Sequence, residues 1–201
     1  MITHVFDGKK HLLVSLTVAV LSLLLFFAGF EKKSTGTRRL VLVAVMTALC
    51  VIGRLIPFFK PITALTVITA MYLGGEAGFL VGSLSTLLSD FYFGQGPWTA
   101  FQMLAWGLIG LFAGILSKPL KRSRVFLLIF GVLTGIIYSF VMDIWTVLWY
   151  NGTFSFDFYL TAISSAVPFM IMYAVSNFIF LFFLAKPFGE KLQRVKIKYG
   201  V

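Results

Sequence analysis

Apolar residues in this chain run in long blocks, not in the strict alternation of a half-buried strand. The blocks are Leu12 to Phe30, Leu40 to Phe59, Ile62 to Leu73, Ala77 to Phe93, Trp98 to Leu116, Val125 to Tyr150 and Phe158 to Ala185. A hydrocarbon core of about 30 Å takes about 20 apolar residues in helical form, so six of the seven are of a length to cross it. The third is short. It follows Lys60-Pro61, a proline at a first-turn position, and stops at Gly74-Gly75, which predicts a short, tilted or bent crossing.

Composition turns that pattern into a solvent argument. With 59% hydrophobic and 12% charged residues in 201, a water-soluble domain could not cover its apolar surface. The chain therefore reads as an all-α membrane protein. Lys9, Lys10 and His11 precede the first block as they would in a signal peptide, but the block exceeds the usual apolar run of about 7 to 15 residues and has no clear cleavage site. An uncleaved helix is expected.

A net charge of +10 raises nucleic-acid binding, and the placement of the charges argues against it. Lys32, Lys33, Arg38 and Arg39 follow the first block, Lys118, Lys121, Arg122 and Arg124 the fifth, and Lys186, Lys191, Arg194, Lys196 and Lys198 the seventh; these groups hold 13 of the 17 Lys and Arg. Seven crossings put all three on one face, which the positive-inside rule makes cytoplasmic. Removing the short third crossing would set the Lys118 group opposite the Arg38 group. The expected topology has an external N-terminus, a cytoplasmic C-terminus and external loops near Lys60, at Gly94 to Pro97 and at Asn151 to Asp157.

No phosphate-binding Gly-x-x-x-x-Gly-Lys-Ser/Thr loop occurs, so any ATP-driven step belongs to another chain. The single cysteine, Cys50, lies in an apolar block and offers no disulfide or cysteine-based metal cluster. Small residues four apart mark close helix contacts: Ala44 and Ala48, Gly78 and Gly82, Gly110 and Gly114, Gly131 and Gly135.

Ionisable groups within apolar blocks need a reason, and Arg54, Asp90 and Asp143 are the candidates. All three fall in the outer half of the bundle. They suit an ion pair of Arg54 with Asp90 or Asp143, a ligand contact, or a proton or cation relay. Nearby, Tyr92, Gln95, Trp98, Gln102 and Trp106 combine flat aromatic faces with amides, and Trp98, Gln102 and Trp106 share one helix face. An aromatic belt at the membrane interface accounts for tryptophans but not for the two glutamines, so this face is expected to wall a large organic ligand. The loop after Trp149, turning at Asn151-Gly152 among aromatics, is a candidate lid over the same site.

From Arg38 to about Glu190 the chain resembles the substrate-binding S-component of energy-coupling-factor (ECF) importers, which take up vitamins in bacteria. The resemblance rests on six hydrophobic segments after a basic start, on Ala44-Val45-Met46-Thr47-Ala48, and on Gly74-Gly75-Glu76-Ala77-Gly78-Phe79. Phe93-Gly94-Gln95-Gly96-Pro97-Trp98-Thr99, with Phe101-Gln102-Met103-Leu104-Ala105-Trp106-Gly107, looks like the cobalamin-associated branch.

The resemblance implies a six-helix substrate-binding bundle (38–190), to which the apolar blocks and charges add an extra N-terminal transmembrane helix with its basic loop (1–37) and a basic cytoplasmic tail (191–201). It implies a multi-pass protein of the bacterial cell membrane that captures a vitamin, cobalamin first, externally. Arg54, Asp90, Tyr92, Gln95, Trp98, Gln102, Trp106, Asp143, Trp149 and Asn151 are the expected substrate-binding residues. Ala44 and Ala48 inherit docking on a membrane-embedded coupling subunit that carries two ATPases. Those partners use ATP, and no cofactor, metal or catalytic residue is expected in this chain. Transport in the family is thought to involve tipping of the whole subunit. The added first helix departs from the usual six. Another bulky nutrient, such as a queuosine precursor, would use similar groups. An intramembrane enzyme using Asp90 and Asp143, or a membrane scaffold, are the readings of other classes.

Overall fold

The computed structural model describes residues 36–58 and 60–200, with Thr17, Val18, Val20, Leu21 and Leu24 as isolated positions. The helix expected over Leu12 to Phe30, and with it the count of seven crossings, lies otherwise outside the described residues. These form helices: α1 (Thr37–Gly53), α2 (Ile62–Leu73), α3 (Gly75–Phe93), α4 (Pro97–Ile115), α5 (Ser117–Arg122), α6 (Arg124–Asn151) and α7 (Phe156–Tyr199). Among them, α4, α6 and α7 are long and apolar enough to cross a membrane.

The helix ends are written locally. Ser123 and Ser155 cap α6 and α7, their hydroxyls accepting from the Phe126 and Phe158 amides at 3.2 and 3.4 Å. Pro97 opens α4. Gly74 stops α2 at φ 99°, a conformation an L side chain resists, and lets the chain reverse within one residue.

At about 1.5 Å per residue, α2 is only about 18 Å long. It nonetheless carries the chain from one end of the bundle to the other. Every residue in it except Tyr72 is buried, enclosed by α1, α3, α4 and α7. A helix wrapped in protein need not match the lipid thickness, because neighbouring helices and not lipid surround its backbone.

The helix boundaries refine the sequence blocks. Helix α1 ends at Gly53, not Phe59, since Pro57 cannot donate to a continuing helix and Pro61 folds back onto Gly53. The short helix α5 was not foreseen. Helix α7 continues without a break through Pro168 and Pro187 to Tyr199, so the basic residues from Lys191 onward are helical.

The basic groups of α1, α5, α6 and α7 share one end. Arg39 donates to the Leu73 carbonyl at 2.7 Å and Lys196 to the Tyr72 carbonyl at 3.1 Å, so cations from two helices neutralise the C-terminal end of α2. Arg38 reaches the Tyr199 carbonyl at 2.9 Å.

The glycine pairs mark backbone contacts. A Cβ on Gly110 would lie 2.3 Å from the Gly78 carbonyl carbon, and one on Gly114 would lie 2.1 Å from the Gly75 Cα, so α3 and α4 meet backbone to backbone. Gly131 and Gly135 admit Leu181 and the Ala174 backbone of α7. Ala44 and Ala48 differ: they are exposed, with Val41, Val45 and Ile52 beside them on α1.

Candidate functional site

The end of the bundle opposite the basic groups holds the polar chemistry. Arg54, the residue after α1, donates to the Asp90 carboxylate of α3 at 2.7 Å and also to the Ser89 hydroxyl. Asp90 accepts a second bond from Thr99 on α4 at 2.8 Å. Arg54 and Asp90 are 6% and 1% exposed, so water contributes little and these partners carry the desolvated charges. The guanidinium also lies 5.0 Å from the Phe93 ring and 5.1 Å from the Trp106 ring.

Beneath that pair, Trp106 stacks on Tyr138 at 4.5 Å, and Tyr138 meets Tyr173 edge to face at 5.2 Å. The Trp106 indole donates to Thr63 of α2 at 3.2 Å. Lys60, in the connection before α2, exchanges backbone hydrogen bonds with the Ser176 hydroxyl and sets its amine 5.2 Å from the Phe93 ring. Burial first, and then the nearby Arg54 charge, hold the Lys60 amine below its usual range.

A second group lies on α4 and α6. Trp98 meets Trp145 edge to face, and Trp145 stacks on Trp149, each at 5.7 Å between centroids. Three buried polar atoms in this region have no hydrogen-bond partner: Gln102 Oε1, Asp143 Oδ2 and the Trp145 indole nitrogen. Buried polar atoms are ordinarily satisfied, so three unpartnered ones on two neighbouring helices mark candidate ligand contacts, beside single unpartnered atoms elsewhere at Thr47 Oγ1, Thr66 Oγ1 and Arg54 Nε. Farther along α4 and α6, toward the basic end, an apolar cavity of about 400 Å³ runs from Leu104 and Val141 to Leu116 and Phe130, lined by none of the expected site residues.

The expected site residues thus separate. Arg54, Asp90 and Trp106 come together in a buried cluster in which both Asp90 oxygens are engaged while the Arg54 Nε–H has no acceptor, and Arg54 selects Asp90, not Asp143. Trp98, Gln102, Asp143 and Trp149 lie on α4 and α6. Tyr92 is exposed, and so is Gln95, whose amide donates to the Leu87 carbonyl at 2.9 Å near the end of α3. Asn151 is exposed and closes its own turn by donating to the Thr153 carbonyl at 3.1 Å. No hydrogen bond joins Asp90 to Asp143, and both Asp90 oxygens are engaged, so the two carboxylates do not form a proton-sharing dyad. Among the described residues no metal-ligating group of three or more assembles.

Sequence reasoning missed Trp145, Tyr138 and Tyr173. Trp145 had a usable signal, since it stands four residues before Trp149 on one helix face. The two tyrosines had none, being lone aromatics in long apolar runs.

A sequence profile described as "ECF-type riboflavin transporter, S component" matches residues 34–194. No curated protein and no solved structure matches the chain.

Proposed function

The chain belongs to the family of S components of ECF-type riboflavin transporters, and from that premise we propose that it captures a flat, uncharged, ring-bearing vitamin of the riboflavin class at the Arg54 end of the bundle. As a family member it is a substrate-binding transport subunit of the membrane. Energy comes from partner coupling and ATPase subunits.

The observation that carries the ligand reading is the set of orphan atoms beside stacked tryptophans. Gln102 Oε1 and Asp143 Oδ2 accept hydrogen bonds, the Trp145 indole donates one, and Trp98, Trp145 and Trp149 offer ring faces. A heterocycle with imide and hydroxyl edges satisfies both kinds of group. Arg54 is already neutralised by Asp90, which leaves the half-buried Lys60 amine over the Phe93 ring as the cation of that end without an ion pair among the described residues.

Cobalamin is the second reading. It is favoured by the wide aromatic rim at the same end, where Phe91, Tyr92 and Tyr150 are each more than 70% exposed and could cover a larger ligand. The basic end faces the cytoplasm in this proposal, and the exposed Ala44 and Ala48 face of α1 receives the coupling subunit.

Titration of the purified chain with riboflavin and with cyanocobalamin, followed by tryptophan quenching, separates the readings. Saturable binding of riboflavin alone supports the first. Binding of cobalamin alone overturns it in favour of the second, and binding of neither by folded protein overturns both. Ala44→Trp should abolish co-purification with the coupling subunit while leaving binding by the isolated chain intact.

A further inference from the structure

The basic end contains a second cavity that the capture of a vitamin does not use. It measures about 230 Å³ and lies where α2, α5, α6 and α7 meet, bounded by Tyr72, Leu120, Lys121, Arg124, Phe182 and Lys186. Lys121 sits 4.5 Å over the Tyr72 ring and Arg124 4.1 Å over the Phe182 ring, so both cations are held by aromatic faces. Lys196 adds a fourth positive charge at the Tyr72 carbonyl. Among the described residues none of these four cations has a carboxylate within ion-pair distance. Glu190 on α7 is near enough to act on Tyr72 electrostatically and forms no ion pair among the described residues. Burial, and then the Lys196 charge, lower the affinity of the Lys121 amine for its proton, as expected where cations crowd without a counterion.

The neighbouring surface says what kind of anion fits. A groove of about 390 Å³ runs between α6 and α7, lined by Val125, Leu128, Ile129, Val132, Leu133 and Phe178. Phe178 stacks on Phe182 at 6.2 Å, so the groove and the basic cavity meet at one aromatic wall. The groove is apolar throughout, and the cavity stands at the end of the bundle where the helices leave the bilayer. A phosphate in the cavity with a hydrocarbon chain in the groove satisfies both halves, whereas a soluble anion leaves the groove empty.

We infer that Lys121, Arg124 and Lys186 hold the phosphate of an anionic glycerophospholipid whose acyl chain lies along the α6–α7 groove. A basic pocket between membrane helices selects an acidic headgroup by charge, and each cation near the surface is worth about fivefold in affinity. The lipid joins α5, α6 and α7 at the end opposite the vitamin.

Native mass spectrometry of the detergent-purified full chain tests this with dioleoyl-phosphatidylglycerol, dioleoyl-phosphatidylcholine and inorganic phosphate as probes. The expected result is preferential retention of phosphatidylglycerol, reduced about 25-fold in Lys121→Gln/Arg124→Gln, and not displaced by millimolar phosphate. Equal retention of the two lipids overturns the inference, as does an unchanged double variant. Displacement by phosphate alone overturns it in favour of a soluble anion. Should the double variant fail to fold, Ile129→Trp decides: it blocks the groove without altering charge, and undiminished phosphatidylglycerol binding there also overturns the inference. None of these residues belongs to the proposed vitamin site, so vitamin binding provides the folding control.

Discussion

Asp90 and Asp143 are alike in sequence and opposite in structure. Each is an aspartate toward the outer end of an apolar helix, and each is buried, at 1% and 7% exposure. Asp90 accepts from Arg54 on one oxygen and from Thr99 on the other, and tryptophan and phenylalanine rings flank the guanidinium. Asp143 leaves Oδ2 without a partner, on the same helix as an unpartnered Trp145 indole. A buried charge whose bonds are complete is architecture, since a ligand could reach it only by breaking them. An incomplete one has capacity left to bind.

The largest expected effect falls on the complete member. Arg54→Met leaves the Asp90 carboxylate buried without its cation, which costs about 3–5 kcal/mol. Thermal unfolding in detergent should show a lower midpoint, and Arg54→Met/Asp90→Leu should recover most of the loss, because removing both charges removes the penalty. A double variant as unstable as the single would show that the pair does not hold α1 to α3.

Asp143→Asn should do the reverse. Replacing an unsatisfied carboxylate by a neutral amide leaves the unfolding midpoint unchanged or raised. Vitamin affinity should fall, because a hydrogen bond to a charged group worth about 1.5–3 kcal/mol is weakened, or about ten- to a hundredfold in Kd. Titration of both aspartate variants under one condition makes the contrast direct. Equal loss of stability in Asp90→Asn and Asp143→Asn would erase it.

Much of this architecture was legible before the structure. The boundaries of α2 were fixed by Pro61 and Gly74, and the glycine pairs of α3, α4 and α6 marked real contacts, because punctuation and close approach are properties of single residues. The convergence of the basic groups was legible because charge along a membrane chain is ordered by topology. The fate of Arg54 was not, since choosing between Asp90 and Asp143 depends on helix rotation, which three isolated charges cannot encode. Trp106 looked like ligand chemistry for a related reason. Its stripe with Trp98 and Gln102 is real, but Tyr138 comes from a distant segment to cover it and Thr63 satisfies its indole. The continuation of α7 to Tyr199 was hidden by Pro187 and by the change from apolar to basic residues, two features that interrupt a lipid-facing pattern without interrupting a helix.

Gln102→Ala extends the comparison to a neutral group. Its Oε1 has no hydrogen-bond partner to lose, so stability should stay within about 0.5 kcal/mol. A neutral hydrogen bond to ligand is worth about 0.5–1.5 kcal/mol, giving a fall in affinity of about two- to tenfold. Unaltered binding in a folded variant would remove Gln102 from the ligand wall.

Trp145→Phe isolates the smallest contribution. The indole stands between Trp98 and Trp149, 5.7 Å from each, while its N–H donates to nothing. Phenylalanine keeps an aromatic ring between those neighbours and deletes the donor. A structural indole would lose packing area and destabilise the protein with no separate effect on ligand. A donor reserved for the vitamin predicts the other pattern: an unfolding midpoint at or above that of the parent, because an unmet polar group has gone, with affinity reduced about threefold. Trp145→Ala supplies the contrast, since it removes the stacking face as well and should weaken binding further. If Trp145→Phe binds like the parent while Trp145→Ala does not, the ring alone serves the ligand, and the unpaired donors and acceptors are not what distinguishes α6 from the closed cluster around Asp90.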